Sequence, residues 1–178
     1  METPWITFFS QTGGEIADIS MSLGRWPDLI ITNERPEHLR TIDERVEKQG
    51  YFTWPNKPTE EDYIATLEKY PNAIVTLHGW LRIVPPYVCE RSKIYNGHPG
   101  LITKFPELKG KDPQLRAYEG KYKTIGCVLH EVTAGVDEGE IISEVEYSND
   151  FQLELDEIFR ILKDKSLTMW TQFLKKVL

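Results

Sequence analysis

Apolar runs of strand length alternate along this chain with stretches whose apolar residues recur at helical spacing. The first run is Trp5 to Phe9, and a glycine-containing loop follows it. Apolar side chains then recur at Ile16, Ile19 and Leu23, which predicts an amphipathic helix that ends near Gly24. Such alternation of strands and helices predicts an α/β fold with a mainly parallel sheet.

The same patterns predict the later elements. Further strands are predicted at 28–32, 73–77, 92–95, 124–131 and 140–147. Helices are predicted at 60–69 and 155–178, and the polar, proline-broken region after the second strand holds at most one more, at 37–49. Because 178 residues suit one domain with a hydrophobic core, we expect a single domain over residues 1–178.

The charge of the chain argues against nucleic acid as a partner. Its 21 Lys and Arg stand against 28 Asp and Glu, which gives a formal net charge of −7. Nonspecific binding to nucleic acid depends on clustered cations that neutralise phosphates, so we expect none. A small anionic ligand is still allowed, because a few local donors outweigh the global charge.

The remaining composition is that of a globular cytoplasmic protein. No run approaches the roughly 18 consecutive apolar residues of a membrane helix. The N-terminus lacks the basic start of a signal peptide, so we expect neither membrane contact nor secretion. The two cysteines are too few for a disulfide scaffold or a metal cluster, and we expect no metal.

A polar pair follows the strand predicted at 92–95. Asn96 and His98 are two residues apart, so on extended backbone both side chains point the same way. Asn can donate a hydrogen bond to a developing oxyanion, and His can move a proton near neutral pH. Ligands of open parallel sheets bind at the carboxyl ends of strands. Taken alone, the pair also fits a simple turn, since Asn, Gly and Pro cluster there.

A carboxylate lies downstream of this pair. Asp137 is placed in a glycine-flanked loop before the apolar strand predicted at 140–147. An acidic hairpin turn is the alternative interpretation of this loop. Asp137 follows Asn96 and His98 in the chain, and the three residues in this order indicate a catalytic site much more specifically than either motif alone.

These motifs resemble the folate-dependent formyltransferase family, and most of all its glycinamide ribonucleotide formyltransferase branch. The family carries Asn-x-His-Pro after a strand, as at Asn96 to Pro99, and a Val/Leu-Asp-x-Gly-x-Ile-Ile loop downstream, as at Val136 to Ile142. A third family segment matches Gly79 to Ile83. The resemblance implies one formyltransferase catalytic domain with a Rossmann-like open, mostly parallel sheet and helices on both faces.

The resemblance implies transfer of a formyl group from 10-formyltetrahydrofolate to a primary amine, most of all a glycinamide-ribonucleotide-like acceptor of purine biosynthesis. Carried over by position, Asn96 would bind the formyl oxygen and His98 would stabilise the tetrahedral intermediate. Asp137 would polarise His98 or shuttle the amine proton through water. The chemistry requires such groups, because an attacking amine builds negative charge on oxygen and positive charge on nitrogen.

Two further segments are expected to bind the substrates. The folate pteridine needs an apolar slot with backbone hydrogen bonds at its edge. The expected slot residues are Trp80, Leu81, Arg82, Ile83 and Val84 on the wall, with Val132, Thr133, Ala134, Gly135 and Val136 at the polar edge. Core packing of Trp80 and Leu81, and a surface role for Arg82, are the alternatives.

The first loop is expected to hold the acceptor. Its residues are Ser10, Gln11, Thr12, Gly13, Gly14 and Glu15. Its glycines and threonine hydroxyl are compatible with a phosphate at a helix N-terminus. Glu15 stands where the family has a phosphate-binding Asn, and a carboxylate repels phosphate although it suits the helix dipole. Gly97 and Gly100 replace bulkier family residues, which predicts a wider site.

Three alternatives remain open at this point. One is N-formylation of a nucleotide-linked amino sugar, because short enzymes of that kind share the Asn, His and Asp set without a phosphate loop. Another is a non-catalytic folate- or nucleotide-binding module. A dinucleotide-binding domain is the weakest, because the first loop lacks G-x-G-x-x-G. The chain is expected to be a monomer or a homodimer.

Overall fold

The structure is a computed structural model, and it describes residues 2–35, 41–134 and 138–178. The strands are β1 Trp5–Phe9, β2 Leu29–Asn33, β3 Phe52–Trp54, β4 Ile74–His78, β5 Lys93–His98, β6 Thr124–Glu131 and β7 Ile141–Ser148. The helices are α1 Gly14–Leu23, α2 Glu44–Gln49, α3 Glu60–Leu67, α4 Pro86–Arg91, α5 Pro113–Glu119 and α6 Leu155–Val177, with a short 3₁₀ helix at Pro106–Leu108.

The strands form one seven-stranded sheet in the order β3-β2-β1-β4-β5-β6-β7. β1 pairs in parallel with β2 and with β4, and β2 pairs in parallel with β3. β7 is antiparallel to β6. The expected α/β fold with a mostly parallel sheet is therefore confirmed, and β7 makes the sheet mixed.

Strand β1 shows why a continuous apolar run predicted a strand. All five residues of β1 are buried between parallel neighbours, and a strand covered on both faces is a continuous apolar run. The register pairs Phe9 with Thr32 on one side and His78 on the other. These three strands end together, so the loops that follow them begin at one edge of the sheet.

The chain divides into two compact units, residues 1–95 with 174–178 and residues 96–173. In the first unit, α1 begins after Gly13, whose φ of 74° is left-handed and suits a residue without Cβ. Ile16 and Ala17 of α1 pack against Phe9 and Ile30. The predicted end of α1 is confirmed at Gly24, where the backbone turns left-handed. The expectation of a single domain stays a prediction.

The second unit has its own apolar core. Its buried members are Leu101, Ile102, Leu108, Ala117, Ile125, Val128, Ile158 and Leu162. They come from β6, the loops after β5, and helices α5 and α6. No helix within the described ranges combines the length and apolar character that crossing a bilayer requires.

Strands β5 and β3 differ from the sequence prediction. β5 continues to His98, so Asn96 and His98 belong to the strand itself instead of following it. β3 was not predicted, because its three residues are too short for a readable pattern. It exists because Phe52 and Trp54 pair with Ile31 and Asn33 of β2.

Candidate active site

His98 ends β5 with its ring held by the backbone. Its Nε2 lies 2.8 Å from the carbonyl oxygen of Leu108. A carbonyl oxygen only accepts hydrogen bonds, so Nε2 carries a hydrogen and donates it. The residue is 6% exposed. In the neutral ring, the other nitrogen, Nδ1, therefore carries no hydrogen.

Asn96 lies on the same face of β5 as His98, two residues before it. Asn96 is half-buried, whereas His98 is buried. Their common face was predicted from spacing alone and is confirmed by the strand. An amide and an imidazole are thus presented together at the carboxyl end of β5.

Two glycines, Gly97 and Gly100, allow close packing at the carboxyl end of β5. A Cβ at Gly97 would lie 2.9 Å from Nε1 of Trp170, which is fully buried on α6. A Cβ at Gly100 would lie 2.8 Å from Cβ of Pro113 and 3.2 Å from Nε2 of His98. Trp170 and Pro113 thus lie directly beside these glycines, and the expected wider site stays a prediction.

The loop expected to supply the carboxylate is only partly described. Gly135, Val136 and Asp137 lie outside the described residues, so their roles stay predictions. Before them, Val132 is half-buried, and Thr133 and Ala134 are exposed.

Ser10 connects three loops of the first unit. Its hydroxyl donates to Oδ1 of Asn33 at 2.9 Å and accepts from the backbone N–H of Leu81 at 3.0 Å. Asn33 in turn donates through Nδ2 to the carbonyl of Asn56 at 2.9 Å. Ser10 was predicted to contact the acceptor, and the structure buries it and uses its hydroxyl to position the loop after β4.

The rest of the first loop is turned toward its own backbone. Oγ1 of Thr12 accepts a hydrogen bond from the N–H of Gly14 at 3.1 Å. The backbone carbonyl of Thr12 accepts one from the N–H of Asp43 at 2.8 Å. Gly13 is buried, whereas Gln11 is exposed. The threonine hydroxyl therefore already uses one of the N–H groups that a bound phosphate would need.

Glu15 is anchored to a histidine that the sequence prediction left without a role. Oε1 of Glu15 lies 2.6 Å from Nδ1 of His78, whose side chain is buried. Nε2 of His78 lies 2.7 Å from Oγ1 of Thr76, which also accepts Nε1–H of Trp5 at 2.9 Å. These contacts hold the carboxylate at the N-terminal turn of α1. A histidine ending a buried strand was the only signal for them in the sequence.

The residues expected to form the apolar wall for the pteridine differ in how exposed their side chains are. Leu81 and Ile83 are 55% and 76% exposed, so a ligand can reach both. Val84 is buried. Arg82 donates through Nε and Nη2 to the backbone carbonyl and Oδ1 of Asn56, each at 2.7 Å. Asn56 was missed from the sequence because a polar loop residue carries no readable pattern.

Trp80 belongs to an aromatic cluster in the core of the first unit. Its ring lies 5.2 Å from that of Phe8, and Nε1 donates to the hydroxyl of Tyr63 at 3.0 Å. Burial raises the pKa of Tyr63 to about 12, although the hydrogen bond from Trp80 opposes that rise. The structure thus favours core packing for Trp80, which the sequence left open.

Metal-binding clusters are absent from the part of the chain that the structure describes. No three or more His, Cys, Asp or Glu side chains there are grouped so that they could hold an ion. The chemistry supported by the described residues is hydrogen bonding and proton transfer.

Solved structures share this fold. The phosphoribosylglycinamide formyltransferase of Campylobacter jejuni superposes with a TM-score of 0.82 at 22% identity, covering 99% of this chain and 98% of that chain. The phosphoribosylglycinamide formyltransferase of Bacillus halodurans superposes with a TM-score of 0.79 at 23% identity, covering 97% of this chain and 94% of that chain. At these identities the likeness concerns the fold.

Sequence relatives carry related names. The formyltetrahydrofolate deformylase of Bacillus subtilis is 29% identical over 140 residues, which is 75% of this chain and 42% of that protein. The trifunctional purine biosynthetic protein adenosine-3 of Drosophila melanogaster is 39% identical over 71 residues, which is 39% of this chain and 5% of that protein. The chain spans less than half the length of either relative.

The family model for formyl transferase matches residues 31–169, well over half of the chain. That range contains β5 with Asn96 and His98, and the loop with Asp137. The chain therefore belongs to the formyl transferase family.

Proposed function

We propose that the chain transfers a formyl group from 10-formyltetrahydrofolate to a primary amine. The observation that carries this proposal is the amide and the imidazole on one face of β5, with the ring of His98 held by the Leu108 carbonyl. Family membership supports formyl chemistry at this pair.

Each group answers one demand of the reaction. The attacking amine pushes electrons onto the formyl oxygen, and the amide N–H of Asn96 donates to that oxyanion. The nitrogen becomes positive and must lose a proton, which Nδ1 of His98 accepts. In this proposal Asp137 shuttles the amine proton through water. The bond between the formyl carbon and the folate nitrogen then breaks, that nitrogen takes the proton from Nδ1 of His98, and tetrahydrofolate leaves.

In this proposal, exposed Leu81 and Ile83 supply apolar contact for the flat ring of the folate. The part expected for residues 132–136 in binding the folate stays a prediction. Ser10, through its bond to the Leu81 N–H, would keep the apolar segment in place. No metal takes part in this scheme.

For the acceptor, we propose a glycinamide-ribonucleotide-like amine. Its support is the fold shared with phosphoribosylglycinamide formyltransferases and the identity with the trifunctional purine biosynthetic protein. The loop from Ser10 to Glu15 would then face the phosphorylated part of the acceptor.

An amino sugar linked to a nucleotide is the second candidate, and one observation favours it. The Glu15 carboxylate is tied to His78 at the N-terminal turn of α1, where it opposes a phosphate. An acceptor without a phosphate at this loop meets no such repulsion.

A formyl-transfer assay tests the proposal. The protein is incubated with 10-formyltetrahydrofolate and either glycinamide ribonucleotide, a panel of nucleotide-linked amino sugars, or no amine. Tetrahydrofolate is measured by absorbance and the formylated amine by mass spectrometry. A formylated amine supports the proposal and identifies the acceptor. Tetrahydrofolate with free formate in every reaction would indicate hydrolysis, the activity named for the Bacillus subtilis relative. Folate binding with no turnover would favour a non-catalytic module.

A further inference from the structure

We propose that Arg116 is the residue that positions His98. It holds the Leu108 carbonyl against the ring and keeps the neutral imidazole in its Nε2–H form. The catalytic consequence rests on the proposed formyl transfer, whereas the effect on the ring can be measured without any substrate.

Arg116 binds a whole loop through its guanidinium. Nε donates to the carbonyl of Lys111 at 2.9 Å, and Nη2 donates to those of Lys109 at 2.9 Å and Leu108 at 3.1 Å. Nη1 donates to the carbonyl of Glu107. Arginine has five N–H donors in a planar fork, and here one side chain serves four carbonyls of the segment 107–111.

The Leu108 carbonyl is the point where this loop meets His98. Its oxygen accepts from Nη2 of Arg116 at 3.1 Å and from Nε2 of His98 at 2.8 Å. A carbonyl oxygen has two lone pairs, so both bonds form together. The cationic donor polarises the oxygen and strengthens it as an acceptor for the ring.

The loop needs such a tether because little regular structure orders it. The segment leaves a 3₁₀ helix at Pro106–Leu108 and passes through Gly110, whose φ is 90°. The Leu108 side chain is buried in the core of the second unit, which fixes the residue's position. The direction of its carbonyl is set by Arg116 on one side and His98 on the other.

This arrangement defines what the ring can do. Nε2 donates to Leu108 in both the neutral and the protonated ring, so the bond persists while the proton moves at Nδ1. The ring therefore has no reason to rotate during a catalytic cycle. Without the tether, the neutral ring could place its hydrogen on Nδ1, and Nδ1 would then be unable to accept a proton.

The test compares Arg116→Met with Arg160→Met, which removes an exposed arginine from α6 in the same unit. Ring ¹⁵N resonances are recorded at a pH where histidine rings are neutral, with His98→Gln used for assignment. In wild type and Arg160→Met, we expect the ring resonances of His98 to be those of the Nε2–H tautomer. In Arg116→Met, we expect resonances of the Nδ1–H tautomer in addition. We expect kcat to fall roughly tenfold in Arg116→Met, with KM values nearly unchanged.

Arg116→Lys tests whether the geometry of the guanidinium or only its positive charge is needed. A lysine keeps the positive charge but cannot serve four carbonyls, so we expect the same ring change and the same loss of kcat. Unchanged ring resonances in Arg116→Met would overturn the proposal. If Arg116→Met fails to fold, wild-type resonances in Arg116→Lys would overturn it equally. A changed ring pattern in a chain that transfers no formyl group would keep the positioning role and reject the proposed function.

Discussion

At the scale of single residues, the proposed chemistry depends on which nitrogen of the His98 ring carries the hydrogen of the neutral form. Leu108 accepts from Nε2 of His98, and this leaves proton transfer to Nδ1. The residue type and its place beside Asn96 could be predicted from the sequence, but the tautomer could not, because the accepting carbonyl belongs to a residue ten positions away.

We expect His98→Ala and Asp137→Asn each to lower kcat for formyl transfer by roughly a hundredfold or more, because both act on the proton that leaves the amine. Turnover is measured as tetrahydrofolate release, and thermal unfolding checks that both variants stay folded. Near-wild-type turnover in either variant would remove that residue from the mechanism.

We expect Glu15→Asn to lower KM for glycinamide ribonucleotide by roughly tenfold, which corresponds to about 1.4 kcal/mol. The substitution removes a carboxylate that His78 holds at the first turn of α1. Glu61→Asn is the matched control, since it removes an exposed acid from the first turn of α3. An unchanged or higher KM would mean that Glu15 does not face the acceptor.

At the scale of elements, strand β5 is shaped by what packs beside it. Gly97 lets β5 pass within contact of the buried indole of Trp170, and Gly100 leaves room for the His98 ring next to Pro113. The Asn-Gly-His order therefore serves packing as well as chemistry. A residue with a side chain between Asn96 and His98 would force the indole of Trp170 to move.

We expect Gly97→Ala to destabilise the protein by about 1–3 kcal/mol, because the new methyl would lie 2.9 Å from Nε1 of Trp170. Urea unfolding measures the loss. Combining it with Trp170→Phe should recover part of the stability in a double-mutant cycle, since the two sites share one contact. A Gly97→Ala protein as stable as wild type would contradict this prediction, because it would show that Trp170 can move away from the new methyl group at little cost.

At the scale of the whole molecule, two compact units carry the two groups of candidate residues. The first holds the loop from Ser10 to Glu15 and the segment from Gly79 to Val84. The second holds Asn96, His98 and Arg116. Each unit is ordered by its own buried cluster, so each group has its own rigid support.

Burial of Tyr63 links the stability of the fold to alkaline pH. Its folded pKa is raised to about 12 from 10.0, so the folded state keeps the phenol proton that the unfolded state loses. That stabilisation is complete below pH 10 and lost as pH rises toward 12. A two-unit rise corresponds to roughly 3 kcal/mol.

We therefore expect the free energy of unfolding to fall less steeply between pH 10 and 12 in Tyr63→Phe than in wild type. Denaturant titrations at several pH values measure both slopes. Tyr118→Phe removes an exposed phenol and is the matched control, with a slope like that of wild type. Equal slopes in Tyr63→Phe and wild type would contradict the linkage.

Some of this protein could be predicted from local patterns alone. The alternation of buried runs and amphipathic stretches indicated the α/β fold, because a strand between parallel neighbours must be apolar on both faces. The spacing of Asn96 and His98 placed both on one face, because side chains alternate along a strand. The motifs around them indicated the formyl transferase family.

Only the tertiary structure decided the contacts between distant residues. Glu15 meets His78 across 63 positions and Ser10 meets Leu81 across 71, and no local period encodes such pairs. The sheet brings them together because parallel strands end at one edge, whichever order the chain visits them. Arg116 likewise reaches the Leu108 carbonyl only after α5 packs onto the second core. Periodicity depends on neighbours in the chain, whereas the site depends on neighbours in space.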